Sequence, residues 1–114
     1  MTIQALGTRT TNVVVNYDGS ITTSPQELVR PSTIGEIQSI LRDVKRYPSP
    51  VRAMGSYHSL TPCVSTDGTI INMSRMTRVL GIDWKEMTFT AEAGLQVIDA
   101  STILRRLGRS FYFD

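Results

Sequence analysis

The hydrophobic positions between residues 33 and 48 recur at spacings of three and four, which is the period of an amphipathic helix. Thr33 precedes this stripe and Glu36 follows three positions later, which is the capping-box arrangement of a helix N-terminus. Because proline disfavours helix at the residue before it, Pro48 and Pro50 predict that the helix ends near Tyr47. The apolar stripe consists of Ile34, Ile37, Ile40, Leu41 and Val44.

A second segment with helical spacing lies near the end of the sequence. Gly108 follows its last apolar residue, and a glycine at that place is typical of a left-handed helix C-cap. The pattern predicts a helix whose apolar side carries Val97, Ala100, Ile103, Leu104 and Leu107.

Shorter runs of β-branched and apolar residues predict extended strands. The first run leads into Asp18-Gly19, which is a strong turn signal. Two later runs flank a turn at residues 84–87, as in an antiparallel hairpin. The predicted strands cover residues 13–15, 28–31, 51–54, 69–72, 79–83, 88–93 and 111–113.

The order of these elements predicts a mixed α/β (α+β) fold in a single unit. Strand, helix and strand follow one another within residues 28–54, which favours a βαβ unit with a right-handed crossover, followed by short strands, a hairpin and a second helix. The aromatic residues at 111–113 predict a buried strand, yet nothing follows Asp114 to pair with it. We therefore expect residues 1–114 to be a truncated N-terminal portion of a domain. The alternative is that this strand pairs with an earlier one and forms a sheet edge.

The composition is that of a globular protein, because 40% of the 114 residues are hydrophobic and 19% are charged. No apolar run approaches the roughly 20 residues that span a bilayer, and the N-terminus lacks the layout of a signal peptide. We expect a soluble, cytoplasmic protein without a membrane span. His58 and Cys63 are the only histidine and cysteine, too few ligands for a zinc site, and we expect Cys63 to be a small buried side chain.

Basic residues outnumber acidic ones by 12 to 10, and their clustering raises the question of nucleic-acid binding. Both clusters lie at the ends of predicted helices, where cations complement the macrodipole, and apart from Tyr47 in the first no aromatic residue is interleaved with them. We expect no nucleic-acid partner. The clusters are Arg42, Lys45, Arg46 and Arg52, and Arg105, Arg106 and Arg109.

The loop that follows the strand at 51–54 is the one loop with chemical content. It contains Gly55 and several small residues, so its backbone N–H groups could converge on an anion such as a pyrophosphate. It has neither the lysine of a Walker loop nor the three glycines of a dinucleotide-binding turn. On composition alone, His58 is expected to be an ordinary solvated side chain.

The same loop reads as a Gly-x-x-His-Ser sequence after a Val-Arg-Ala-x strand, at residues 51–59. Further signatures occur in order along the chain: Asn16-Tyr17, Val29-Arg30-Pro31-Ser32-Thr33 ahead of Glu36-Ile37, Asn72-Met73-Ser74, and Ala91-Glu92-Ala93-Gly94. Together they resemble the N-terminal FAD-binding region of the superfamily of vanillyl-alcohol oxidase and p-cresol methylhydroxylase. The similarity is greatest to its aldonolactone and alditol oxidases.

The resemblance implies an FAD cofactor and a role for each residue of the loop. The cofactor-binding residues would be Ala53, Met54, Gly55, Ser56, Tyr57, His58 and Ser59, whose amides would hold the FAD pyrophosphate. His58 takes the place of the histidine that many members join covalently to the 8α-methyl group of the flavin. The implied reaction is hydride transfer from a small alcohol or sugar lactone to the flavin. Catalytic residues and the substrate-binding cap would lie beyond residue 114, so we expect this chain to be inactive by itself.

One departure from the family pattern falls inside the loop, because many members have glycine where this sequence has Tyr57. Bulkier residues do occur there in the alditol branch. The alternative function is a non-catalytic α/β module that acts through an exposed sheet edge as an interaction or homo-oligomerisation unit.

Overall fold

Seven strands and two α-helices follow one another in residues 12–111, the part of the chain that this computed structural model describes. A 3-10 turn at Pro62–Val64 separates the fourth and fifth strands. In chain order the elements are β1 (Val14–Val15), β2 (Thr22–Thr23), β3 (Glu27–Val29), α1 (Ile34–Arg42), β4 (Val51–Met54), β5 (Thr69–Asn72), β6 (Val79–Asp83), β7 (Thr88–Ala91) and α2 (Val97–Arg106). The predicted mixed α/β class is confirmed.

The central sheet is parallel, with the strand order β3-β5-β4. All four residues of β5 are buried, and Thr69 and Ile70 have no exposed surface, because β5 has a neighbour on each side. The predicted strand-helix-strand unit is present as β3, α1 and β4. Its two strands are not adjacent, however, since β5 lies between them. Sequence order alone does not indicate that a later strand inserts at this place.

Helix α1 begins where the capping box predicts, with Thr33 as the N-cap, although Glu36 reaches back to the Ser32 amide and not to that of Thr33. The Thr33 hydroxyl accepts a hydrogen bond from the Glu36 amide at 3.1 Å, and the Glu36 carboxylate accepts one from the Ser32 amide at 2.7 Å. The predicted end near Tyr47 is wrong, because the helix ends at Arg42. Asp43 starts a separate turn, in which its carbonyl oxygen accepts from the Tyr47 amide at 2.9 Å.

The remaining elements form two antiparallel hairpins and the second helix. The β1–β2 hairpin turns at Gly19, whose φ is +77°, and the β6–β7 hairpin turns at Met87, whose φ is +56°. Strand β2 was not predicted, because a pair of threonines gives too short a pattern. Helix α2 ends in a Schellman motif at Gly108: the Gly108 amide donates to the Arg105 carbonyl, and the Arg109 amide donates to the Leu104 carbonyl.

The main core lies on the face of the sheet toward β1 and consists of Val14, Met54, Tyr57, Val64 and Ile70. The prediction that Cys63 is buried is wrong, because the 3-10 turn aims Val64 into this core and leaves Cys63 exposed. Phe111 belongs to no strand, and residues 112–113 of the predicted aromatic strand lie outside the described residues. Neither helix in the described range is long and apolar enough to cross a membrane.

Candidate functional site

The loop after β4 leaves a run of backbone N–H groups without partners. Within residues 12–111, the amides of 55–59 donate no hydrogen bond to any other group. Gly55, Ser56 and His58 are exposed, so their amides are accessible from solvent. A run of unbonded N–H groups in one short loop is the arrangement that binds anions.

Tyr57 fixes the shape of this loop. Its backbone has φ +53°, in the left-handed region, while its side chain is only 5% exposed and packs into the main core. Its hydroxyl lies 3.4 Å from the Ser65 hydroxyl. A left-handed backbone is the physical reason that glycine suits this position. Here the buried aromatic ring offsets that strain and anchors the middle of the loop.

The turn after β1 supports the loop from the other side. The Asn16 side-chain amide donates to the Ser59 carbonyl at 3.1 Å, and the Tyr17 amide donates to the Tyr57 carbonyl at 3.1 Å. The Tyr17 ring also meets the His58 imidazole edge to face, with centroids 5.5 Å apart. Asn16 is 3% exposed, so its polar side chain is committed to this support.

The N-terminus of α2 provides a second set of unbonded amides. Gln96 is the N-cap residue, and its side chain makes no capping hydrogen bond. The amides of Val97 and Ile98 have no acceptor among the described residues. The helix macrodipole adds positive potential at this end, so the first turn of α2 favours an anion.

A close backbone contact holds the segment that leads into α2. The Gly94 amide donates to the Met76 carbonyl at 2.9 Å, and the Leu95 amide donates to the Glu92 carbonyl at 3.1 Å. A side chain at Gly94 would overlap the carbonyl oxygens of Met73 and Met76. Only glycine allows the two backbone segments to approach this closely.

The loop and the N-terminus of α2 face each other across a cleft of about 400 Å³. Its lining contains no carboxylate, and Asp99, the acidic residue in the first turn of α2, is not among the lining residues. The lining residues are Gly55, Ser56, His58, Ser74, Ala93, Gly94, Leu95, Gln96, Val97 and Ile98.

The structure brings three of the seven predicted site residues, Gly55, Ser56 and His58, to the cleft. Ala53 and Met54 belong to β4, where Met54 packs into the core, and Tyr57 and Ser59 are held by the contacts described above. A cofactor-binding role for all seven stays a prediction. The wall formed by Ser74 and residues 93–98 was not assigned from the sequence, although two of the signatures, at 72–74 and 91–94, contain part of it.

Cys63 lies near the loop but not in the cleft lining. Its thiol donates to the Ser59 hydroxyl at 3.5 Å, and side-chain hydrogen bonds with Thr61 and then with Ser59 lower the pKa of Cys63. The Ser59 hydroxyl is also 2.9 Å from the Thr61 hydroxyl. This small polar cluster closes the end of the loop after His58.

Comparison with known proteins shows which proteins this chain is similar to. L-gulono-1,4-lactone dehydrogenase of Mycobacterium tuberculosis is 34% identical over 82% of this chain, and L-gulonolactone oxidase of Mus musculus is 32% identical over 75% of it. The chain spans only about a fifth of the length of these relatives, at 22% and 19%.

The fold also matches a solved structure. Cholesterol oxidase from B. sterolicum superposes on 86% of this chain with a TM-score of 0.66 and 16% sequence identity, and the match covers 20% of that protein. The sequence profile of the "FAD binding domain" family matches residues 25–114. The chain therefore belongs to the FAD binding domain family, of the p-cresol methylhydroxylase type, and its cofactor is FAD.

Proposed function

We propose that this chain is the FAD-binding part of a flavin-dependent oxidoreductase that oxidises a sugar lactone or a related small alcohol. The substrate class rests on the names of the relatives, which are lactone oxidases and dehydrogenases. Because the chain spans about a fifth of those proteins, their activity is carried over as a proposal. The family match does not favour the non-catalytic alternative.

The observation that carries the proposal is the pair of unbonded amide sets on opposite walls of one cleft. Gly55, Ser56 and His58 contribute one set and the first turn of α2 contributes the other. A pyrophosphate carries the negative charge and the several acceptor oxygens that such a site requires. The residues present therefore fit the cofactor, and Gly55, Ser56, Val97 and Ile98 are the ones proposed to hold it.

Bound FAD would accept a hydride from the substrate carbon. The residues of this chain would bind and orient it: the amides neutralise the phosphates, and the Tyr57 anchor keeps the loop in place. His58 is exposed, lines the cleft, and makes no side-chain hydrogen bond within residues 12–111. Its imidazole is thus available as the proposed attachment point: a ring nitrogen would bond to the 8α carbon of the flavin, the imidazole N–H and one 8α C–H would be lost as two protons, and the flavin would take up the electron pair and pass it to the acceptor that reoxidises it.

The attachment is tested by mass. The protein carrying residues 1–114 together with the rest of its natural chain is denatured in acid and weighed. The expected result is an increase of one FAD less two hydrogens, which His58→Ala removes, while Tyr17→Ala retains it. An intact protein without the increase would exclude the bond but leave noncovalent FAD binding untouched.

The amide contribution of α2 is tested by Val97→Pro. Val97 is the first helical residue, where proline fits without breaking the helix but removes the N–H. One hydrogen bond to a charged group is worth about 1.5–3 kcal/mol, so FAD affinity is expected to fall at least about tenfold in a fluorescence titration.

Two matched variants accompany this measurement. Val97→Ala removes the same side chain but keeps the amide, and Ile34→Pro makes the same change at the first residue of α1, away from the cleft. Both are expected to bind FAD as the unsubstituted chain does. Equal affinities for Val97→Pro and Val97→Ala would remove α2 from the proposed site.

A further inference from the structure

The wall of the cleft formed by residues 93–96 is joined to one charged contact that lies outside the cleft. Glu92 directly follows β7, and Arg78 directly precedes β6. The Arg78 guanidinium donates to both carboxylate oxygens of Glu92, at 2.9 Å from Nε and 3.2 Å from Nη2. Neither residue lines the cleft.

The contact is more than an exposed surface ion pair, which would be worth little. The Glu92 side chain is 5% exposed whereas that of Arg78 is 68% exposed, and the Glu92 Oε1 also accepts the Arg78 amide at 2.8 Å. The Glu92 amide donates in turn to the Arg78 carbonyl at 2.8 Å. Arg78 and Glu92 are thus joined by four hydrogen bonds, and the Glu92 carboxylate accepts three of them. A bidentate, charge-assisted contact of this kind defines position as well as energy.

The position of Glu92 affects the cleft wall through a backbone hydrogen bond. Its carbonyl oxygen accepts the Leu95 amide, which closes the turn that leads to Gln96 and α2. Gly94 within that turn is held on its other side by the Met76 carbonyl. Movement of Glu92 would therefore shift the segment that presents the unbonded amides of Val97 and Ile98.

We infer that Arg78 and Glu92 are a positioning pair that sets the 93–96 wall, and with it the N-terminus of α2, for binding FAD. The inference rests on the proposed function, because it assigns these residues to the same cleft. No other ion pair joins two residues within the described range, so no second contact of this kind duplicates it.

The first test measures hydrogen exchange of the backbone amides in the 93–96 wall, in the absence of the cofactor. Arg78→Gln and Glu92→Gln are expected to speed hydrogen exchange several-fold at the Gly94 and Leu95 amides, and to leave the amides of β5 unchanged. Exchange that is unchanged at 94–95, or raised equally in β5, would contradict a local positioning role. This readout is independent of whether FAD binds.

The second test measures FAD affinity by titration. Each single variant is expected to bind FAD about tenfold more weakly, which corresponds to ~1.4 kcal/mol, and the double variant no more weakly than either one, because both remove the same contact. If the losses of FAD affinity were additive in the double variant, the two residues would not act as a pair. Arg78→Lys keeps the positive charge but cannot donate to both carboxylate oxygens in the bidentate arrangement. Its FAD affinity is expected to lie between that of Arg78→Gln and that of the unsubstituted chain.

Controls separate this inference from the proposed function. Arg106→Gln removes an exposed arginine from the last turn of α2, and both the exchange rates and FAD affinity are expected to stay unchanged. If the unsubstituted chain binds no FAD, the proposed function fails at that step. If it binds FAD and the Arg78 and Glu92 variants bind it equally well, only the positioning role fails.

Discussion

At the scale of single residues, the loop after β4 combines an unfavourable backbone with a favourable side chain. Tyr57 has a left-handed backbone and a buried ring that packs against Met54 and Ile70. The sequence pointed to this loop as a candidate anion site from its glycine and small residues, and the family resemblance added the cofactor. It did not reveal the positive φ, because a tyrosine gives no local signal for that conformation.

At residue 57 the glycine variant is expected to be more stable than the alanine variant, which is the reverse of the usual order of stability. Tyr57→Ala loses the buried ring, which is worth ~3–5 kcal/mol, and keeps the strained backbone. Tyr57→Gly loses the same ring but relieves roughly 1 kcal/mol of strain, so it is expected to be the more stable of the two. Urea unfolding of both variants measures the difference.

Tyr47 provides the matched control, because it is half-buried and its φ is not positive. There Tyr47→Gly is expected to be less stable than Tyr47→Ala, as glycine has the larger entropy to lose on folding. The same order at both positions would show that the backbone of residue 57 stores no strain.

At the scale of elements, the cleft depends on two backbone segments that touch without side chains between them. The Gly94 turn rests on the carbonyl oxygens of Met73 and Met76. Gly94→Ala would force these segments apart, and overpacking of this kind costs ~1–3 kcal/mol. The expected result is a lower melting temperature together with weaker FAD binding.

Gly81 is the matched control for Gly94. It lies in β6, and an added Cβ would meet nothing within 4 Å. Gly81→Ala is expected to change the free energy of unfolding by less than about 1 kcal/mol and to leave FAD binding intact. A Gly94→Ala variant as stable as Gly81→Ala would mean that the turn can relax without loss.

Local patterns predicted the elements better than their ends or neighbours. The capping box at Thr33 and the glycine after α2 mark real helix boundaries, because each has a specific hydrogen-bonding function. The end of α1 was misplaced, because Asp43 competes for the backbone and starts a turn before Pro48 can act. Much of the apolar stripe of α1 also stays exposed, including Ile34 at 65% and Leu41 at 52%.

At the scale of the whole molecule, the site arises from segments that are distant in sequence. The loop at 55–59, Ser74 and the N-terminus of α2 meet at one cleft although about 40 residues separate the first from the last. Hydrophobic periodicity indicates local secondary structure and does not indicate which distant segments come together in the fold. The family resemblance pointed to the same segments as signatures, but only the fold shows that they form opposite walls.

Acid is expected to weaken this assembly through two carboxylates whose pKa values are lowered in the folded state. Hydrogen bonds from the Arg78 guanidinium and then the Arg78 amide lower the pKa of Glu92 below its ordinary 4.5. Hydrogen bonds from the Ser20 hydroxyl and then its amide lower the pKa of Asp18 below 3.8. Asp18 lies in the β1–β2 turn, whose Asn16 and Tyr17 make the hydrogen bonds to the loop.

The sign of the pH effect follows from these directions. A carboxylate whose folded pKa is depressed stabilises the folded state fully above its unfolded pKa and loses that contribution as the pH falls through the folded pKa. The free energy of unfolding is therefore expected to be constant from neutral pH down to about pH 5 and to fall below pH 4.5. Urea unfolding across this range measures the decline.

The variant Glu92→Gln is expected to be less stable than the unsubstituted chain near neutral pH and to lose less stability on acidification. Glu86 is an exposed carboxylate in the β6–β7 turn, and Glu86→Gln is expected to show the same dependence of stability on pH as the unsubstituted chain. Parallel curves for the chain and Glu92→Gln would show that the Arg78 contact contributes nothing to acid sensitivity.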